Sequence, residues 1–229
     1  MIRAVVFDFD GVLANSEPLH LRAYQDVLAR QGVTLTEADY YGRYLGYDDA
    51  GAFSAIAADR HLGWSADRVS DLVAHKAKRL EALERDTSVL FPGAAAAVRR
   101  LAEKWPLAIA SGALRAEIVR VLDRENLAAF FPVVVAAEDT PSSKPAPDPY
   151  LRAVDGLSQT IGCPIACSDC VAVEDSRWGL ESARAAGLAT VAITHTYSAD
   201  TLAGAADALI EHLDSLTAEF LRKFDDSPR

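Results

Sequence analysis

Long apolar runs are missing from this sequence: no stretch reaches the roughly 18–20 residues needed to cross a bilayer, so no membrane partner is expected. Basic side chains are outnumbered, 23 against 33 acidic, which leaves a formal charge of −10 at pH 7. A chain this acidic lacks the basic face that neutralises backbone phosphates, and a nucleic-acid partner is not expected. Cysteine is scarce, with Cys163, Cys167 and Cys170 as the three examples, all inside eight residues. Structural zinc wants four ligands, usually as two separated pairs, and the next histidine, His195, falls beyond the following expected helix. The pattern therefore reads as reduced thiols without assigned chemistry, and a disulfide-stapled miniprotein is excluded. The opening Met1-Ile2-Arg3 leads directly into a short apolar run, without the apolar core and cleavage site of a signal peptide, so the cytoplasm is the expected compartment.

What is present is the mixture of a globular protein: 50% of the 229 residues are hydrophobic and 24% charged. That length holds one large domain, or a domain carrying a smaller insert. Five short runs rich in Val, Ala and Ile, at 4–9, 107–110, 133–137, 171–173 and 190–193, have the continuous apolar character of parallel strands covered on both faces. Helical stretches at 94–104, 116–125, 149–154 and 179–186 lie between most of them. The alternation predicts an α/β fold with a doubly wound parallel sheet. One connection breaks the rhythm. From 16 to 86 the chain reads helical, with apolar spacing at Leu21, Tyr24, Val27 and Leu28, and later at Leu72, Val73, Leu80 and Leu83. A crossover of that length predicts an inserted helical cap with its own core, leaving 1–15 and 87–229 as a Rossmann-like core. Asn15-Ser16-Glu17-Pro18 predicts the cap's first helix, with Ser16 as its N-cap, and the polar tail 224–229 is expected to fray.

Open parallel sheets bind ligands beyond the carboxyl ends of their strands, so the residues at those ends carry the functional reading. The first strand runs into Asp8-Phe9-Asp10-Gly11. Acids one residue apart point the same way on a strand and repel unless a cation or a shared proton intervenes. The second ends in Ser111-Gly112, a hydroxyl beside a backbone amide that an anion can approach closely. Lys144 follows the third, between Pro141 and Pro145, and the fourth ends in Glu174-Asp175-Ser176 at the start of a helix. Hard oxygen donors in this number suit Mg²⁺ with a substrate phosphate, and cation, lysine and amides together would clamp a phosphoryl group. An aspartate within reach of phosphorus can act as nucleophile through an aspartyl-phosphate.

Asp8-Phe9-Asp10-Gly11-Val12-Leu13, Ser111-Gly112, Lys144-Pro145 and Glu174-Asp175-Ser176 resemble, in order and spacing, the four motifs of the haloacid dehalogenase superfamily. Within it the chain resembles the phosphoglycolate phosphatase and β-phosphoglucomutase-like branch, along essentially its whole length. One such motif is weak; four in register at strand ends are specific. The resemblance implies Asp8 as nucleophile and Asp10 as the acid that protonates the leaving oxygen and later activates water. It implies Mg²⁺ held by the Asp8 side chain, the Asp10 backbone carbonyl and Asp175, with Glu174 as a direct or outer ligand. Ser111, Gly112 and Lys144 would hold the phosphoryl oxygens, and Lys144 would also neutralise Asp8 and Glu174.

The cap bears on the substrate. His20 lies one turn into the first cap helix, where β-phosphoglucomutase-like members also carry a histidine; it either faces the site or is an ordinary helix residue. Tyr44-Leu45-Gly46-Tyr47-Asp48-Asp49 falls where this branch places its substrate-contacting loop, which makes Gly46, Tyr47 and Asp48 candidate contacts. Hexose-phosphate mutases place basic residues there, whereas the two acids here would repel a second phosphate. A dehalogenase would have no use for an acid at Asp10, and 41–52 contains no lysine for the Schiff base of a phosphonate hydrolase. The expected function is thus a Mg²⁺-dependent phosphatase of a small phosphorylated metabolite, acting as a monomer or weak dimer. A β-phosphoglucomutase-like phosphomutase and a non-catalytic phosphate-binding module remain as alternatives. His61, His75, His195 and His212 carry no partner pattern and read as surface or satisfied residues.

Overall fold

In a computed structural model, which describes residues 1–45, 47, 49–85 and 88–225, the chain divides into two compact units. One comprises Met1–Asn15 with Val89–Arg229, the other Ser16–Ser88.

The larger unit is built on six parallel strands in the order β3-β2-β1-β4-β5-β6. They are β1 (Ala4–Phe7), β2 (Leu107–Ala110), β3 (Val133–Val135), β4 (Cys170–Glu174), β5 (Ala189–Ile193) and β6 (Ala208–Ile210). Its helices are α5 (Ala94–Ala102), α6 (Arg115–Arg124), α7 (Asp148–Ile161), α8 (Arg177–Ala185), α9 (Ala199–Leu202) and α10 (Ala218–Arg222). The residues of β1, β2, β4 and β5 are buried throughout, which is why those strands read as unbroken apolar runs. On one face Ala4, Val6, Ala108, Ala110 and Ala172 pack against Tyr150, Ala153 and Leu157 of α7 and Ala183 of α8. On the other, Phe7 meets Phe131 edge-on at 6.1 Å. The small residues of the sheet let the helices approach closely, and the doubly wound α/β fold expected of the sequence is the one that forms.

The boundaries differ in instructive ways. The first strand stops at Phe7, because the Phe9 carbonyl accepts from the Leu13 and Ala14 amides, both at 2.9 Å, and bends the chain. The sixth strand was not among the expected runs; three residues with Leu209 partly exposed offer no period to read. Asp207 secures its entry by accepting from the Thr190 amide at 2.8 Å and hydroxyl at 2.9 Å. The expected fraying of the tail is wrong at its start: Phe224 is buried edge-on against Phe220, and Asp225 accepts from the Ile2 amide at 2.6 Å. Residues 226–229 lie outside the described residues. Cys163 is exposed, Cys167 half-buried and Cys170 buried, and all are free thiols. Among the described residues no helix is long and apolar enough to cross a membrane.

The smaller unit is helical: α1 (Glu17–Ala29), a short turn α2 (Glu37–Asp39) running into a π-turn at Tyr40–Tyr44, α3 (Asp49–Asp59) and α4 (Ala66–Glu84). Leu21, Tyr24, Leu28, Phe53, Ile56 and Leu72 form its core. Ser16 occupies the N-cap position of α1 as expected, yet its side chain makes no capping bond. An ion pair runs through this core. Lys76, 1% exposed, bonds Asp49 at 2.7 Å and meets Nδ1 of His20 at 2.9 Å, while the Tyr24 hydroxyl donates to Asp49 at 2.7 Å. Breaking a pair buried on both sides costs roughly 3–5 kcal/mol; Asp49 keeps 29% exposure, so Lys76→Met is expected to destabilise by about 2–3 kcal/mol. Urea unfolding of the full chain checks this, and a variant as stable as the parent would show that the pair contributes nothing net.

Candidate active site

Strand order sets where polar side chains converge. Between β1 and β4 the winding of the sheet reverses, and a crevice opens beyond the carboxyl ends of those two neighbours. Asp8 follows β1 directly, its amide donating to the Val173 carbonyl of β4 at 3.0 Å, so it lies level with Glu174 and Asp175 at the end of β4. Lys144 comes from the loop between β3 and α7, next to a cis Lys144–Pro145 peptide. Its ammonium donates to Asp8 Oδ1 at 2.8 Å and to Glu174 Oε1 at 2.6 Å. Asp8, Glu174 and Asp175 are all buried, and each offers an oxygen within 4.8 Å of the others. Four residues from three separate segments of chain thus share one site.

The charges there are balanced unevenly. Burial alone would lower the Lys144 pKa, but Asp8 and Glu174 outweigh it and hold the ammonium above the ordinary lysine range. Burial raises the Glu174 carboxyl, and Lys144 offsets part of that rise. Asp175 is pushed up to about 8, by burial first and then by the charges of Asp8 and Glu174. The Lys144 ion pairs go to Asp8 and Glu174, so Asp175 is the acid of the three that the lysine does not bond.

A family model for haloacid dehalogenase-like hydrolases matches residues 2–187. The chain belongs to that family. Protein CbbY of Rhodobacter capsulatus is 34% identical to this hydrolase over 232 residues, covering 95% of the chain and 96% of that protein. Hexitol phosphatase B of Escherichia coli K12 is 30% identical over 222 residues, 96% of each. Among solved structures, CbbY from Rhodobacter sphaeroides in complex with xylulose-(1,5)bisphosphate superposes with a TM-score of 0.77 at 25% identity, covering 94% of this chain and 96% of that one.

The site of this hydrolase suits a hard divalent cation. Three carboxylates face a single ammonium, and every donor is oxygen. Glu174, 0% exposed, is already engaged: Oε1 accepts from Lys144 and from the Tyr150 hydroxyl, both at 2.6 Å, and Oε2 from Ser176 at 3.3 Å. Asp175 accepts from the Thr196 hydroxyl. The donor set thus favours Asp8 and Asp175 for direct contact with a cation, with Glu174 behind them.

Of the other expected residues, Ser111 is buried at the end of β2, its Oγ accepting from the Ala113 amide at 3.1 Å, and Gly112 follows in the bend. Asp10 is half-buried in the turn after β1, in a bridge with Ala14. The helix after β4 is capped by Ser176, which accepts from the Gly179 amide at 3.1 Å, so capping does not occupy Glu174 or Asp175. His20 and Tyr47 belong to the smaller unit; Tyr47 is 56% exposed, while Gly46 and Asp48 lie outside the described residues. Asp49 is no bare acid there, since Lys76 neutralises it, and the electrostatic case against a second phosphate loses that support.

Three supporting features carry little sequence signal. Tyr150 is fully buried, with the Lys144 ammonium 5.2 Å from its ring centre, and its only hint is its place on the first turn of a helix led by prolines. His195 sets Nδ1 3.0 Å from the Gly11 carbonyl, although its sequence context suggested no partner. Gly179 lets the first turn of α8 pass over Glu174: a Cβ there would lie 2.0 Å from the Glu174 carboxylate. At an exposed helix position Gly→Ala stabilises by about 1 kcal/mol. At 179 the sign is expected to reverse, with a loss of about 1–3 kcal/mol, because Lys144, Tyr150 and Ser176 hold the displaced carboxylate. A urea midpoint at or above that of the parent for Gly179→Ala would show that Glu174 moves aside freely.

Proposed function

We propose that this hydrolase is a Mg²⁺-dependent phosphatase of small phosphomonoesters, sugar or polyol phosphates in particular, working through an aspartyl-phosphate on Asp8. The observation that carries the reading is the Lys144 ammonium bridging Asp8 and Glu174 at the switch point, with Asp175 alongside. The names of two relatives, a hexitol phosphatase and a CbbY crystallised with xylulose-(1,5)bisphosphate, support the substrate class.

Each residue has a task in this reading. Asp8 attacks phosphorus in line, forming the acyl phosphate as the bond to the leaving oxygen breaks. Lys144 holds Asp8 in place through its ammonium, 2.8 Å from Oδ1, and donates to the phosphoryl oxygens as they gain charge. Ser111 accepts from a backbone amide, which leaves its hydroxyl proton to donate to the phosphoryl group, beside the Gly112 amide. Asp10 gives its proton to the leaving oxygen, then takes one from the water that attacks the same phosphorus and releases inorganic phosphate. Asp8, Asp175 and the Asp10 carbonyl would hold Mg²⁺, whose charge draws an anionic ester toward a carboxylate that would otherwise repel it.

Phosphate release from a panel of sugar and polyol phosphates tests the reading. Release is expected to require Mg²⁺ and to fall roughly a thousand-fold or more in Asp8→Asn, with circular dichroism unchanged. Turnover by that variant at the parental rate removes the nucleophile. Transfer of phosphate to a second hydroxyl of the sugar, dependent on a bisphosphate primer, would establish a mutase instead.

Leaving-group dependence tests Asp10. Asp10→Ala is expected to slow an alkyl phosphate by about 10²- to 10⁴-fold and p-nitrophenyl phosphate far less, since nitrophenolate departs without a proton. Equal losses on the two esters count against the acid role.

A further inference from the structure

The turn that carries Asp10 is held from two directions. From within, the Gly11 amide donates to the Ala14 carbonyl at 2.8 Å, and the Leu13 and Ala14 amides both return to the Phe9 carbonyl. Gly11 takes φ +77 in this turn. From without, the Gly11 carbonyl meets His195 Nδ1 at 3.0 Å, across 184 residues of sequence. A carbonyl only accepts, so Nδ1 carries the proton and the bond fixes the tautomer of the ring. The ring itself is clamped: it stacks on Phe91 with centroids 3.8 Å apart and planes at 22°. Phe91 lies in the larger unit just before α5, where its amide donates to the Leu13 carbonyl at 2.9 Å. The next residue, Thr196, donates its hydroxyl to Asp175. Two consecutive residues after β5 therefore reach the Asp10–Gly11 turn and the Asp175 carboxylate.

We infer that His195 is a positioning residue for Asp10: its Nδ1–H fixes the Gly11 peptide, and with it the direction from which the Asp10 acid meets the leaving oxygen. The inference rests on the phosphatase reading above, and it assigns His195 no contact with substrate. Its signature is selective. A misdirected acid hurts an ester whose leaving oxygen needs a proton, whereas a general loosening of the site hurts every ester alike.

His195→Phe removes the donor and keeps an aromatic ring for Phe91. For glycerol 2-phosphate its kcat is expected to fall about 10-fold or more, while kcat for p-nitrophenyl phosphate and KM for both esters stay within about 2-fold of the parent. His195→Gln, which restores an N–H donor without the ring, is expected to recover most of the ratio between the two esters. In an Asp10→Ala background His195→Phe is expected to add little, since the two changes act through one group. If the phenylalanine variant does not fold, His195→Ala against His195→Gln reads the same ratio. Equal losses on both esters, no loss on either, or full additivity with Asp10→Ala overturns the positioning role and leaves the phosphatase reading standing. A parent enzyme inert toward both esters in Mg²⁺ overturns that reading and this inference with it.

Discussion

Like charges that must be buried together are the constraint from which the larger unit is built. Two carboxylates about 5 Å apart repel by roughly 3 kcal/mol at an effective dielectric near 20, and three of them make three such pairs. Lys144 reaches two members of the set, Asp8 and Glu174. Asp175 is outside its reach, and burial first, then the charges of Asp8 and Glu174, weaken its acidity. A protein that only had to fold would replace such a cluster with apolar residues at little cost or some gain. Its retention at the crevice where the winding reverses is a functional commitment, and much of the surrounding architecture holds it in place.

Glu174 illustrates how. It sits below the crevice, fully buried, and receives hydrogens from Lys144, Tyr150 and Ser176. Each donor comes from a different stretch of chain. Tyr150 can reach it because α7 packs across β1 and β2, and Ser176 because α8 begins there. Gly179 allows that first turn to lie against the carboxylate, and Gly11 does the same for Asp175, whose Oδ2 would lie 1.9 Å from a Cβ at position 11. The two glycines and the buried tyrosine are thus consequences of the carboxylates, and their residue types follow from the space left around them.

What could be read from the sequence follows the same logic. Strands buried on both faces have to be continuous apolar runs, so five of the six were visible, and Asp8, Lys144, Glu174 and Asp175 could be named as one cluster from their places after those strands. Features that depend on long-range contact were not visible. Three-residue β6 has no period, Phe224 looked like part of a polar tail, and His195 gave no local sign that it would meet a carbonyl 184 residues away. The acids of the smaller unit were legible as charges but not as partners: Asp49 looked like a repulsive acid, and Lys76, buried on a later helix, neutralises it. Charge counted along a sequence cannot say which charge will be met.

Charge matching distinguishes the two units. In the larger one the charges are under-compensated, three acids to one lysine, and the deficit is what a divalent cation would offset before an anionic ester could enter. In the smaller one a buried lysine is matched between helices, Lys76 with Asp49 and with Tyr24 on the same carboxylate, while Tyr40 donates to Glu17 at 2.7 Å. A matched pair specifies how helices pack and asks for no ligand. On the proposed reading, an unmatched cluster, held rigid by Tyr150 and Ser176 and approached through a turn pinned at both ends of Gly11, keeps its need for a cation in every folded molecule. Rigidity is what turns that need into chemistry, because a cluster free to relax would splay its carboxylates into water and lose the geometry that a phosphoryl group requires.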